Sequence, residues 1–137
     1  MLGDVIYAYS QALLAAGYTE NKDIDTDDFQ PASSADKSYY VQGVAKASES
    51  YTGNYETASL GMGITVLIRY HRKNTYAANE QAAWNEISNI ERDIKALAAT
   101  RGDALNVDGI ESERVEDFKV FRLSVTCSFE RNMAVMN

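Results

Sequence analysis

Two segments in the second half of the chain alternate strictly between apolar and polar positions. The apolar positions of the first segment are Met62, Ile64, Val66, Ile68 and Tyr70. Those of the second segment are Phe121, Leu123, Val125, Cys127 and Phe129. Because successive side chains of a strand point to opposite faces, this period of two predicts half-buried β-strands over about Leu60–Arg72 and Phe118–Arg131.

Between these strands, apolar residues recur at the helical intervals of three and four. They are Ala83, Ile87, Ile90, Ile94 and Leu97. This stripe predicts an amphipathic helix that begins between Thr75 and Asn79 and ends at Gly102, where a glycine is a common C-terminal cap.

The first half of the chain predicts a second helix and a short strand. The helix runs from about Leu2 to Ala16, and Gly17 stands where a left-handed cap is expected. Its shared apolar face is formed by Ile6, Tyr9, Leu13 and Ala16. The strand covers Ser38–Val44, and a weaker strand is predicted later, over Val107–Glu116.

Two stretches without apolar periodicity predict long loops, Tyr18–Lys37 and Ala45–Ser59. Both exceed the usual connection of about 4–6 residues. Residues 132–137 predict a short flexible tail. The predicted fold is therefore α+β, with a mostly antiparallel four-stranded sheet packed against two helices and two long loops.

Composition agrees with one globular domain over residues 1–137, since 45% of the residues are hydrophobic and 24% are charged. No apolar stretch is long enough to cross a bilayer, and no basic region precedes an apolar stretch at the N-terminus, so we expect neither a membrane span nor a secretory signal. A single cysteine, Cys127, excludes an internal disulfide and favours a buried thiol and cytosolic synthesis.

The net charge of −7 is unevenly distributed along the chain. Residues 1–60 contain nine acidic and three basic residues, whereas residues 61–137 contain eleven and ten. Clamping of nucleic-acid phosphates needs a clustered basic face, so this balance argues against it. DNA that merely passes the protein is compatible with the charge.

One dense group of carboxylates matches part of the ligand pattern of a calcium-binding loop. Asp23, Asp25 and Asp27 match the first three ligand positions of such a loop. The match then fails, because Asp28 stands at the position that needs glycine and Ser34 at the position that needs a bidentate glutamate. A solvated or interface-forming acidic loop is the better interpretation, and we predict no bound metal.

The sequence lacks the residue sets of the common catalytic and cofactor sites. His71 is the only histidine, and no activated serine or cysteine accompanies it. One cysteine and one histidine cannot complete a tetrahedral zinc site. Gly61 and Gly63 are followed by Val66 where a dinucleotide fingerprint needs glycine, and no phosphate-binding loop motif is present. We therefore predict a protein that is not an enzyme and has no cofactor.

The remaining candidate residues suit contacts with other proteins. The basic cluster of Arg69, His71, Arg72 and Lys73 complements an acidic loop of a neighbouring copy. Nine tyrosines are present, and tyrosine is enriched at protein interfaces. The predicted subunit or partner interface residues are Asp25, Asp27, Asp28, Tyr51, Tyr55, Arg69 and Arg72.

The order and length of the elements carry a family resemblance. The relevant segments are Ala15-Ala16-Gly17, Ser38–Gly43, Ile64–Tyr70, the helix from Trp84 to Leu97, and Arg122–Glu130. Together they resemble the tail-terminator, or tail-completion, proteins of long-tailed bacteriophages, of the minor tail protein U type. The family has no catalytic residues and no motif-defined interface, so no residue inherits a role from it.

This resemblance implies a virion structural protein, assembled in the bacterial cytoplasm, that forms a hexameric ring. Such a ring caps the tail tube, ends tail elongation and presents a surface to the head. The implied partners are copies of the chain, a tail-tube protein and a head-closure or connector protein. Two alternatives stay open: another neck or tail component, such as a head-closure or tube protein, and a soluble regulatory domain that binds calcium or a small ligand.

Overall fold

The computed structural model describes residues 2–21, 36–52 and 55–132, without the side chains of 48–52, 55, 56, 131 and 132. The two helices are α1 (Leu2–Ala15) and α2 (Tyr76–Arg101). The strands are β1 (Thr19–Glu20), β2 (Lys37–Thr52), β3 (Tyr55–Arg69), β4 (Ala104–Val115) and β5 (Phe118–Asn132).

The five strands form one sheet in the order β1-β2-β3-β5-β4. β1 pairs with β2 in parallel, and every other pair is antiparallel. Both helices contribute to the core that lies against one face of this sheet. The α+β prediction is confirmed, although the sheet has five strands rather than four. The missing strand, β1, is too short to produce an alternating pattern.

The two strands that alternate most clearly in the sequence form the centre of the sheet. β3 and β5 pair along their whole lengths, with Met62 opposite Val125 and Ile64 opposite Leu123. These four side chains are buried, and Cys127 on the same face is fully buried, as expected. The apolar face predicted for each strand is therefore the face that packs against the helices.

The ends of α2 agree with the sequence prediction. The Thr75 side chain accepts a hydrogen bond from the Ala78 N–H at 3.2 Å, and Gly102 adopts a left-handed φ of 79°. The predicted stripe residues Ala83, Ile87, Ile90 and Ile94 are buried. Leu97 is only partly buried, and Ala98 takes the last core position instead.

Helix α1 follows its prediction with one correction. Gly17 has the expected left-handed conformation, with φ of 97°. Tyr9 and Leu13 are buried and Ile6 packs against the core, but Ala16 is exposed, because the helix ends at Ala15. Val5 fills the core position nearest the N-terminus.

The predicted loop Ala45–Ser59 is wrong. β2 and β3 form one long hairpin whose pairing continues to Thr52 opposite Tyr55. Its Ala, Lys and Glu residues have weak strand propensity, but β3 is paired on both sides, by β2 and β5, and these ladders satisfy its backbone groups. Tertiary pairing therefore overrides local preference here. The other predicted loop, Tyr18–Lys37, contains β1, and residues 22–35 lie outside the described residues.

Several strand boundaries also differ from the prediction. β2 starts at Lys37, and β3 ends at Arg69 rather than Arg72. β4 begins at Ala104 and ends at Val115, because Glu116 has a left-handed φ of 53° and turns the chain into β5. The predicted tail is shorter, since β5 includes Asn132 and residues 133–137 lie outside the described residues.

At the end of β3 and the start of β5, the sheet is apolar on both faces. Leu67, Phe118 and Val120 form a second buried cluster on the face opposite the helices. A half-buried strand leaves this second face to solvent, so the prediction is wrong for Leu67 and Val120. The guanidinium of Arg69 lies 4.5 Å from the centre of the Phe118 ring, so an arginine covers part of this cluster.

Within the described residues, no helix is both long enough and apolar enough to span a membrane.

We expect the substitution Val125→Asp to unfold the protein. Val125 is 2% exposed on the helix-facing side of β5, and a buried, unpaired carboxylate costs several kcal/mol, against a total stability of about 5–15 kcal/mol for a domain. Ser124→Asp is the matched control, because Ser124 is exposed on the opposite face of the same strand. The free energy of unfolding of Ser124→Asp, measured by thermal melting, should change by about 1 kcal/mol or less. Equal stability of the two variants would contradict the assigned faces.

Candidate functional site

Ionisable side chains with shifted pKa values often mark functional sites, and three tyrosine–carboxylate contacts in this fold have such shifts. In the first, Tyr18 Oη donates to Glu86 Oε2 at 2.6 Å, and Lys37 Nζ donates to Glu86 Oε1 at 2.7 Å. Burial and the hydrogen bond to Glu86 raise the pKa of Tyr18. Burial opposes ionisation of Glu86, but the bonds from Lys37 and Tyr18 lower its pKa overall.

The second contact joins the end of β3 to the start of α2. Tyr70 Oη donates a short hydrogen bond to Glu80 Oε1, and Lys119 Nζ donates to the same oxygen at 2.9 Å. Trp84 Nε1 donates to the other oxygen of Glu80 at 3.1 Å. The hydrogen bond from Tyr70, followed by that from Lys119, lowers the pKa of Glu80 to about 2. Burial and the carboxylate raise the pKa of Tyr70.

The third contact joins α1 to the residue after the cap of α2. Tyr9 Oη donates to Asp103 Oδ2 at 2.9 Å and lies 3.7 Å from Cys127 Sγ. Arg101 Nε donates to the same Asp103 oxygen at 3.0 Å. Burial, then the bonds to Cys127 and Asp103, raise the pKa of Tyr9, and burial raises the pKa of the Cys127 thiol to about 11.

These contacts have the character of structural bonds. Each tyrosine keeps its proton, the lowered pKa values keep Glu80 and Glu86 ionised, and a lysine or arginine donates to each of the three carboxyl groups. A nucleophile or general base needs the opposite shifts, a lowered tyrosine or cysteine pKa or a raised carboxylate pKa. Within the described ranges, no three His, Cys, Asp or Glu residues are grouped to hold a metal ion. The absence of enzymatic activity stays a prediction.

The predicted interface residues that the structure describes do not form one surface. Asp25, Asp27 and Asp28 lie outside the described residues. Tyr51 and Tyr55 lie in paired strands rather than in a loop, at the C-terminal end of β2 and the N-terminal end of β3. Tyr55 and Arg69 are the first and last residues of β3, and such a strand of fifteen residues is roughly 45–50 Å long.

The two predicted basic interface residues have acidic partners within the chain. Arg69 Nε lies 3.3 Å from Asp36 Oδ1. Arg72 is 88% exposed and lies 3.4 Å from Asp117 Oδ1, which is a weak surface contact. His71 is exposed just beyond β3, as predicted. Arg72 and His71 therefore stay accessible to a partner, whereas Arg69 is held against the sheet.

A feature that the sequence did not reveal is the long free edge of β2. β1 pairs only with Ser38 and Tyr39. From Tyr40 to Thr52 the side of β2 that faces away from β3 has no strand partner among the described residues, and we call this side the β2 outer edge. Two bulges, at Gly43/Ala45 and Ser48/Ser50, divide it into regular segments. Val44 at the first bulge is 67% exposed.

The two sheet edges differ in charge. Lys46 and Glu49 are the only charged residues from Tyr40 to Thr52. The other edge strand, β4, has four charged residues in twelve, which are Asp108, Glu111, Glu113 and Arg114. Charged side chains protect a sheet edge from pairing with another chain. The β2 outer edge is therefore the less protected of the two.

A depression lined mainly by polar residues lies just beyond the C-terminal end of β3 and has a volume of about 230 Å³. We call it the Arg114 pocket; it is lined by Tyr70, His71, Arg72, Asn74, Tyr76, Asn79, Arg114 and Asp117. Asn79 shapes it, because its side chain accepts from His71 N at 3.2 Å and donates to His71 O at 3.0 Å. Sequence reasoning identified His71 and Arg72, but no pattern linked them to Arg114.

Comparison with known proteins identified no matching family model and no matching curated protein.

We expect Glu80→Gln to lower the free energy of unfolding and to make it less dependent on pH in the acidic range. The folded pKa of Glu80, about 2, is below its ordinary value of 4.5, so its ionic contribution is complete above about pH 4.5 and is lost as the pH falls towards 2. At pH 7 the variant leaves Lys119 without its carboxylate, at a cost of about 1–3 kcal/mol.

Urea unfolding between pH 2 and 7 measures both effects. The matched control is Glu91→Gln, on the same helix, whose carboxylate makes a surface pair with Lys95 at 3.0 Å. That control should change stability by about 0.5 kcal/mol or less. The same loss for both variants would contradict the structural role of Glu80.

Proposed function

We propose that this chain is a virion structural protein of a long-tailed bacteriophage that forms a ring on the end of the tail tube. The ring ends tail elongation and offers a surface for joining the head. The observation that carries this proposal is the β2 outer edge, which is long, poorly charged and without a strand partner among the described residues. The family resemblance of the element order supports the same assignment.

An open sheet edge favours assembly because its backbone groups can bond to a strand of another molecule. A ring requires contacts between two different surfaces of identical subunits. Beyond Tyr39, where the pairing with β1 ends, the outer edges of β2 and β4 are the two edges of the described sheet, and they differ from each other. Pairing of β2 with a different surface of the neighbouring copy would be head-to-tail, which is the arrangement that can close into a ring.

The outward-facing groups of β2 can be assigned from the pairing. Tyr39 O accepts from Asn21 N at 2.8 Å, so the backbone groups of Tyr39 face away from β3. Its partner Val66 therefore faces away from β2, and so does Ile64, the next alternate residue of β3. Val41 is opposite Ile64, which places the Val41 N–H on the β2 outer edge.

The substitution Val41→Pro tests this edge, since proline removes one outward N–H and is tolerated on edge strands. Val41→Ala is the matched control, because it also shortens the side chain and keeps the N–H. We expect both variants to fold, with free energies of unfolding within about 1 kcal/mol of each other. Val41→Ala should form rings, six-membered by the resemblance, and Val41→Pro should not.

Light scattering after size separation measures the assembly, and the length distribution of tails assembled with each variant measures the function. Normal rings of Val41→Pro would remove the β2 outer edge from the interface. A protein that stays monomeric at high concentration and does not bind tail ends would overturn the proposed function. Calorimetric titration with calcium tests the regulatory-domain alternative directly.

A further inference from the structure

The Arg114 pocket has the chemistry of a site for an anion, and Arg114 is its best-placed donor. The guanidinium carbon of Arg114 lies 4.5 Å from the centre of the Tyr70 ring and 5.8 Å from that of Tyr76. The two rings meet edge to face, with their centres 5.8 Å apart. Arg114 Nε donates to Glu116 O at 2.9 Å. These contacts hold the planar group in one orientation before any ligand arrives.

The orienting contacts leave the outer end of the guanidinium for a ligand. The hydrogen bond to Glu116 uses Nε, and within the described residues no acceptor is bonded to the two terminal nitrogens. A guanidinium held in this way offers two parallel N–H groups, which is the geometry that a carboxylate accepts. Tyr70 is itself held by Glu80, so the ring that supports Arg114 is also fixed.

Arg72 provides a second cation in the same lining. Its contact with Asp117, 3.4 Å long and with Arg72 88% exposed, is too weak to hold it away from a ligand. The lining contains two arginines and one aspartate, with the single histidine, His71, at its rim. This gives the pocket a formal charge of +1 on a chain of net charge −7.

We propose that the Arg114 pocket binds a carboxylate on an acidic segment of a protein partner, with Arg114 as the bidentate donor and Arg72 as the second cation. A peptide fits this place better than a free small ion, because Tyr76 is 60% exposed and presents a ring on which the chain beside the carboxylate can pack. The residues that line this site lie after β3 and around the connection from β4 to β5, and none of them belongs to the β2 outer edge.

Nuclear magnetic resonance of the intact protein tests the site. The arginine Nε–Hε signals are followed during titration with a blocked tri-aspartate peptide carrying one leucine, and with the same peptide containing asparagine in place of aspartate. Acetate and inorganic phosphate are titrated separately. We expect saturable shifts of the Arg114 signal with the acidic peptide, weaker shifts with acetate, and none that saturate with the asparagine peptide.

The substitution Arg114→Lys keeps the charge and loses the planar fork, so it should weaken binding about tenfold or more. Arg72→Gln should weaken it less. Arg92→Lys is the matched control, because Arg92 is exposed on α2 and pairs only with the neighbouring Asp93; it should leave binding unchanged. Backbone spectra and melting curves show that each variant is folded.

Three results would overturn the proposal: no saturable binding of the acidic peptide, equal affinity of Arg114→Lys and the unchanged protein, or tighter binding of phosphate than of the peptide. Equal binding of acetate and the peptide would also overturn it, because the site would then recognise a free carboxylate and not a protein segment. None of these results depends on whether the protein forms rings.

Discussion

The arrangement of this domain depends on how α2 is held against the sheet. Its buried stripe is narrow, with about one residue in each turn of the helix, and hydrogen bonds from tyrosines fix its position along the sheet. Glu80 and Glu86 on the helix, and Asp103 just after it, accept from Tyr70, Tyr18 and Tyr9 respectively. A partly buried carboxylate without such partners would be costly. The three contacts therefore specify one position of α2 relative to β3, β2 and α1.

This packing covers only part of the sheet. The helices lie over a core that includes Met62, Ile64 and Leu123, whereas the β2–β3 hairpin continues to Thr52 and Tyr55. The β2 outer edge then has no partner among the described residues, and the Arg114 pocket lies at the other end of β3. The same fold thus separates two surfaces suited to protein contacts, one of backbone groups and one of charged side chains.

The sequence predicts those parts of the fold in which burial is periodic. β3, β5 and α2 have clear apolar periods, and Gly17 and Gly102 mark helix ends that the structure confirms. The distal hairpin could not be predicted, because its β3 strand, which includes Thr57 and Ser59, is held by pairing with β5, a contact between positions far apart in the chain. The Arg114 pocket was missed for a similar reason, since Arg72 and Arg114 meet only after the sheet has formed. Two residues so far apart in the chain give no local pattern in the sequence.

Amide hydrogen exchange, measured residue by residue on dispersed and on concentrated protein, tests most directly whether the β2 outer edge is an assembly surface. The account predicts that the outward N–H groups of Val41 and Gly43 exchange rapidly in the monomer and become protected on assembly. The amides of Gln42 and of β3, already paired inside the subunit, should be protected in both samples. Assembly that leaves the exchange of Val41 and Gly43 unchanged would contradict the account.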